Sequence, residues 1–317
     1  MTDVHAALEA AFGPGRVRVH APLAPLTTFK VGGPADWLVE PRSSAELLAA
    51  LQIAHRLQLP VTMLGGGSNV LVSDTGVRGL VLRPRGGEVA AIDSAHVRAD
   101  AAVTITGLVR WTINHGAAGL EAWAGTPGTV GGAIFGNAHF AGRNISEYVS
   151  TVRVATRDGE ARTVEAADMG FGYDCSRLQR TGEILLWAAF RVAPGDPAAL
   201  RAVARQSLAY RKTTQPLDTP SAGCIFQNPQ PDRDRLPEGM PWSAGALVDR
   251  AGLKGAAIGG ARVSAAHGNF IVNAGGATAR DIRRLVERCR AVVRERFGVE
   301  LRDEIVYLGE FDVDTAD

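Results

Sequence analysis

The spacing of apolar positions divides the chain into short strands and helices. Leu47, Leu48, Leu51 and Ala54 recur at helical intervals behind Ser43, whose hydroxyl suits an N-cap, and predict a helix over 43–57. Residues 61–64 and 70–73 read as short buried strands flanking Gly65-Gly66-Gly67-Ser68-Asn69. Further along, the pattern predicts a helix over 108–117 and strands over 149–156 and 183–192. Pro194-Gly195-Asp196-Pro197 interrupts it, and a helix over 198–211 opens a second part. The longest amphipathic repeat comes late. Ile282, Leu285, Val286, Cys289, Val292 and Val293 form one stripe behind Thr278, predicting a helix to Phe297. Residues 301–308 then alternate as a strand, with Leu301, Asp303, Ile305 and Tyr307 on one face and Arg302, Glu304, Val306 and Leu308 on the other. The mixture predicts an α/β (α+β) protein.

Length and charge narrow the class. A chain of 317 residues supports two or three domains with sizeable cores. Its 34 basic and 33 acidic side chains leave a net charge of +1, with no basic stripe, which argues against nucleic acid or anionic membrane as the main partner. No apolar run approaches the roughly 20 residues that span a bilayer, so no membrane insertion is expected. The first residues lack a basic head followed by an apolar core, so no secretory signal is expected. Cys175, Cys224 and Cys289 are too scattered for a disulfide framework or a metal knuckle. A soluble cytoplasmic protein fits these features. The histidines lack paired ligand spacing, and no metal site is expected.

Two glycine-rich loops carry the first candidate chemistry: residues 65–69, and Gly125-Thr126-Pro127-Gly128-Thr129-Val130-Gly131-Gly132 ahead of Asn137. Without Cβ atoms, such loops let backbone amides approach a flat or phosphorylated ligand; they also serve as tight packing turns. Their spacing is neither a GxGxxG fingerprint nor a Walker loop. Arg211 and Lys212 suit phosphate. Cys224, beside small residues, is a proton donor or an ordinary small core side chain. Glu304 is a strand carboxylate whose pKa rises if it is buried among apolar neighbours, or one paired with Arg302. His267 either orients its loop or contacts a ligand. Cys289 belongs to the helical stripe and reads as a core thiol.

Taken in order, residues 27–35, 64–74, 124–138, 211–216, 221–229, 249–255, 268–282 and 297–305 closely resemble the UDP-N-acetylenolpyruvoylglucosamine reductase family of peptidoglycan precursor synthesis. The resemblance implies a two-part FAD-binding region of the vanillyl-alcohol-oxidase/p-cresol-methylhydroxylase type. That region would cover 1–205 and be completed by 304–317, with a smaller α/β substrate domain over 206–303. It also implies the shorter form of the enzyme, without an inserted loop, and a monomer. The implied reaction uses non-covalent FAD: NADPH delivers a hydride to the flavin, and reduced flavin N5 passes it to C3 of UDP-N-acetylenolpyruvoylglucosamine. Gly65, Gly66, Gly67, Ser68, Asn69, Thr126, Pro127, Gly128, Thr129, Gly132 and Asn137 are the implied cofactor contacts. Arg211, Lys212, Asn228 and His267 are the implied substrate contacts.

The family's proton-donating serine falls at Cys224, which would protonate C2, and its catalytic glutamate at Glu304. A thiol titrates near ~8.5, far below a hydroxyl, so activity is expected to fall as Cys224 ionises. One departure bears on catalysis. The family's active-site arginine position holds Asp174, and Arg177, or Arg143, is the expected replacement cation. His139-Phe140 also replaces a smaller pair, and Ala246 stands where many relatives carry lysine. Two other functions stay in view: a flavin- or UDP-sugar-binding protein without catalysis, and a different FAD-dependent oxidoreductase on the same flavin fold.

Overall fold

The computed structural model describes residues 2–140 and 142–311. The chain divides into two units. The first comprises residues 1–21, 36–66 and 79–211; the second comprises 22–35, 67–78 and 212–317.

Unit 1 is built on two sheets. In the first, strands run in the order Val17–Pro22, Pro34–Val39, Val77–Leu82, Val61–Met63, the last two parallel. Helix Ser44–Arg56 buries Leu47, Ala50, Leu51, Ile53 and Ala54 in a core shared with Leu8, Trp37, Leu80 and Leu82. Ser43 caps it as expected, accepting from the Glu46 amide. The second sheet has the order Ala161–Glu165, Val149–Ala155, Ile184–Arg191, His96–Asp100, Val89–Ala91, antiparallel throughout. Helices Ile105–Asn114 and Val130–Phe135 bury Leu108, Val109, Val130 and Ile134 in its core, with Trp123 and Phe190. The first of these helices starts three residues before the predicted Leu108. Thr104 is the true cap, its Oγ1 accepting from the Gly107 amide, and Gly116 at φ +65° lies beyond the helix end.

Unit 2 holds a three-stranded antiparallel sheet, Ala257–Ile258, Ala261–Val263 and Ile271–Asn273, and helices Ala244–Arg250 and Ala279–Phe297. The long helix is doubly capped. Thr278 and Asp281 form a capping box, and the Asp74 carboxylate accepts from the amides of Ala279 and Arg280 at 2.8 and 2.9 Å. It ends at Gly298, left-handed at φ +68°. Its expected stripe is buried at Ile282, Leu285, Val286, Cys289 and Val293, and burial pushes the Cys289 thiol up to about 12.

The predicted strand over 301–308 is shorter in the structure. Only Val306–Leu308 forms a strand, parallel to Val70–Val72, which also belongs to unit 2. Upstream, Arg302 pairs with buried Asp234 at 2.9 Å and Asp303 with Arg290 at 2.6 Å. These two ion pairs pull neighbouring residues in different directions, so a simple two-face alternation does not hold there. Of the expected terminal segment 304–317, the residues beyond Phe311 lie outside those described.

Candidate functional site

In unit 1 the two glycine loops meet. A Cβ on Gly66 would lie 2.7 Å from the Gly128 Cα, and one on Gly65 would lie 2.8 Å from the Thr129 Oγ1. Glycine is therefore a packing requirement at both positions. Thr129 caps helix Val130–Phe135 through the Gly132 amide, and the Gly128 carbonyl accepts from Ile105. Beside the loops lies a cavity of about 520 Å³ lined by Gly65, Gly66, Thr104, Thr129, Trp111 and the basic side chains of Arg83, Arg85, Arg110 and His115. No carboxylate lines it, and Arg83 Nε is buried without a hydrogen-bond partner among the described residues. Trp111 and His115 stack at 3.8 Å. Arg83 and Arg85 share Glu40, at 2.8 and 3.9 Å, yet with the glycine amides, Arg110 and the stacked aromatic pair the lining fits a dinucleotide with a pyrophosphate, so the residues present suit FAD.

Other expected cofactor residues have structural partners. Thr126, nearly buried, accepts from the Arg211 guanidinium at 2.8 Å. That guanidinium also lies 3.7 Å over the Phe140 ring, so Arg211 is buried against aromatic surface while Lys212 is exposed. Asn137 is left-handed at φ +44° and 3% exposed; it donates to the Gly172 carbonyl and accepts from the Ser146 amide. Its side chain fixes the 171–176 loop. Pro127 and Gly132 sit on the second glycine loop as expected.

Unit 2 places the expected proton-transfer residues on neighbouring extended segments. The Glu304 amide donates to the Ile225 carbonyl and the Gln227 amide to Arg302, with Phe226 bridged to Asp303. Cys224 and Glu304, 80 positions apart in sequence, thus flank one short pairing, both half-buried. Asn69, expected to touch the cofactor, donates through its side chain to the Glu304 carbonyl at 3.1 Å and through its backbone carbonyl accepts from Val306. Gly67, at φ +66°, is bound to Thr28 and would clash with the Leu26 carbonyl if it carried a Cβ; Ser68 follows it. Asn228 Oδ1 accepts from the Ala244 amide at 3.0 Å.

His267 Nδ1 accepts from the Asn269 amide, its ring packs on Phe270, and burial chiefly, with Lys254, depresses its pKa. These contacts hold the ring within its own loop and favour its neutral form. Asn269 went unnoticed in the sequence. It is 3% exposed and clamps Phe226 at both ends, accepting from its amide at 2.9 Å and donating to its carbonyl at 2.7 Å. Its presence in the Gly268-Asn269-Phe270 motif was the available signal.

Arg177 is not brought to Asp174. Its Nε donates to Glu183 at 2.7 Å, a carboxylate 4% exposed that also takes Arg162 and Thr181. Burial raises the Glu183 pKa, but the hydrogen bonds from Arg177, Arg162 and Thr181 outweigh it and hold the carboxyl below the usual range. Arg143 donates to the Tyr148 hydroxyl. Asp174 instead faces His139, whose Nδ1 lies 3.0 Å from its Oδ1.

Two family models match: the C-terminal domain of UDP-N-acetylenolpyruvoylglucosamine reductase over residues 215–308, and an FAD binding domain over 35–165. UDP-N-acetylenolpyruvoylglucosamine reductase 2 of Symbiobacterium thermophilum is 42% identical over 298 residues, covering 93% of each chain. The reductase of an Anaeromyxobacter species is 42% identical over 300 residues, 94% of this chain and 90% of its own. The crystal structure of UDP-N-acetylenolpyruvylglucosamine reductase from Thermus caldophilus superposes with a TM-score of 0.74 at 33% identity, over 92% of this chain and 98% of that one. The similarity runs through both units, including the glycine loops and the Cys224 and Glu304 segments, and the chain belongs to the UDP-N-acetylenolpyruvoylglucosamine reductase family.

Proposed function

We propose that the protein is an FAD-dependent oxidoreductase that uses NADPH to reduce UDP-N-acetylenolpyruvoylglucosamine to UDP-N-acetylmuramate, a step of cell-wall biogenesis. The observation that carries this reading is the pairing of the Cys224 and Glu304 segments in unit 2 beside full-length similarity to reductases of that name. The fold class agrees with it: a two-sheet FAD-binding region and a smaller α/β unit.

The glycine loops and the cation-lined cavity would hold FAD without a covalent link. When bound, FAD supplies hydride storage between NADPH and the enol ether. This chain's residues supply the rest. Hydride arriving at C3 leaves negative charge at C2 and on the attached carboxylate, and the Cys224 Sγ–H delivers a proton to C2. Glu304, held by the hydrogen bond its backbone amide donates to the Ile225 carbonyl and by the one its carbonyl accepts from Asn69, stands beside that thiol segment as the second proton-handling group. Arg211, Lys212 and Asn228 are the proposed sugar-nucleotide contacts, and His267 acts through Asn269. We read the chain as the shorter form of the enzyme, monomeric and cytoplasmic.

Cys224→Ala tests the assignment. Flavin reduction by NADPH should persist, while reoxidation by the enolpyruvyl substrate falls at least a hundredfold, consistent with loss of a general acid. Normal rates in both half-reactions of Cys224→Ala would remove Cys224 as the donor.

A further inference from the structure

In unit 2 the chain bends at Ile305, a buried residue between Glu304 and the short strand Val306–Leu308. Before the bend, the Glu304 amide donates to the Ile225 carbonyl. After it, Val306–Leu308 pairs in parallel with Val70–Val72, and the Ser73 amide closes that ladder on the Leu308 carbonyl at 2.9 Å. The bend itself lies outside both pairings, and side-chain bonds to the backbone set the shape of such a segment. Asn69 clasps it at both ends. Its backbone carbonyl accepts from the Val306 amide at 3.0 Å, and its Nδ2 donates to the Glu304 carbonyl at 3.1 Å. Asn69 is seated in turn by its own neighbours. Gly67, at φ +66°, accepts through its carbonyl from the Thr28 amide and hydroxyl at 2.9 and 3.2 Å, and Asp74 accepts from the amides of Ala279 and Arg280. Arg302 and Asp303 are tied separately, to Asp234 and Arg290, and those ion pairs stop one residue short of Glu304. The orientation of Glu304 against the strand that follows it therefore rests on Asn69.

We propose that Asn69 is a positioning residue for Glu304, clasping the bend so that the glutamate is held in one orientation, and is not a cofactor contact. The inference rests on the proton-handling role given to Glu304 under Proposed function. The chemistry of the side chain suits the task, because a carboxamide donates to a carbonyl and a carboxylate of the same shape does not. Asn69 is exposed, so replacing it spares the core.

The test compares Asn69→Ala, Asn69→Asp and Glu304→Gln in the FAD-loaded protein. In both Asn69 variants, flavin content and the rate of flavin reduction by NADPH should stay within about twofold of wild type, while reoxidation by UDP-N-acetylenolpyruvoylglucosamine falls about five- to tenfold, the scale of one lost hydrogen bond. The fall should appear in the limiting rate and not in the substrate concentration that gives half of it. It should also depend on Glu304. In a Glu304→Gln background, Asn69→Ala should slow reoxidation less than about twofold further, because the group it positions is gone. An equal fall in both backgrounds would mark Asn69 as acting elsewhere and overturn the proposal. So would loss of flavin from the Asn69 variants with a wild-type reoxidation rate once excess FAD is supplied. Glu304→Gln reoxidising at the wild-type rate would remove the proton-handling role itself and this inference with it. Slow Glu304→Gln beside Asn69 variants of wild-type rate sinks only the inference.

Discussion

Replacing Asn269 with alanine isolates one clamp. The amide is 3% exposed and its two bonds, 2.9 and 2.7 Å, satisfy both backbone groups of Phe226, itself 1% exposed. Alanine leaves that N–H and C=O buried and unpaired, at about 1–3 kcal/mol each. A water entering the space recovers part of the loss, so the expected destabilisation is about 3 kcal/mol. For a unit of this size that lowers the melting temperature by roughly 6–12 °C. The Ile225 amide, next to Cys224, also donates to the Asn269 backbone, so the proton donor's segment loosens with the clamp. Thermal and urea unfolding measure the stability, and single-turnover flavin reoxidation measures the consequence, expected to slow more than flavin reduction. Asn269→Asp is the control: it keeps the acceptor for the Phe226 amide but turns a carboxylate oxygen toward the Phe226 carbonyl, and should be at least as destabilising. An Asn269→Ala protein within 0.5 kcal/mol of wild type, about the margin of a neutral surface change, would refute the clamp.

Three further outcomes follow from the same geometry. Arg177→Ala should cost about 2–3 kcal/mol of stability, because Arg162 and Thr181 still hold buried Glu183, and leave substrate-driven reoxidation near the wild-type rate; a selective loss of reoxidation would restore Arg177 as a catalytic cation. Gly66→Ala should push the 128 loop away and lower FAD content, read as flavin absorbance per protein at unchanged circular dichroism, and full flavin occupancy would contradict the packing argument. The Glu46 carboxyl, hydrogen-bonded by Arg16, is held at about 2, and Glu183 is likewise held low. A depressed carboxyl stabilises the fold above its ordinary value of 4.5 and loses that contribution as pH falls toward its folded value, so urea midpoints should drop between pH 4.5 and 2. Arg16→Ala should flatten that dependence.

Much of the fold was legible because periodic burial wrote it into the chain. The Ser43 and Thr278 caps and the stripe ending at Val293 all stand where the pattern placed them. The misses share a cause: long-range polar contacts have no period. Nothing near Leu108 announced that Thr104 would cap the helix, and nothing near Ala279 pointed to Asp74, about 200 residues earlier. The alternation over 301–308 failed because Asp234 and Arg290 claim Arg302 and Asp303. Family motifs pointed to Cys224 and Glu304 as proposed proton-handling residues, and the structure shows how their segments are held. The same motifs suggested cofactor contacts for Asn69 and Asn137, whose amides hold backbone carbonyls. Arg177 looked available from spacing alone, since sequence could not show the buried Glu183 beside it.

Anaerobic stopped-flow absorbance tests the central claim most directly. The FAD-loaded protein is first reduced with NADPH, then mixed with UDP-N-acetylenolpyruvoylglucosamine, and the product is identified by mass. The account predicts rapid flavin bleaching, then rapid reoxidation with stoichiometric UDP-N-acetylmuramate. Reduced flavin that stays reduced on mixing with that substrate would contradict it.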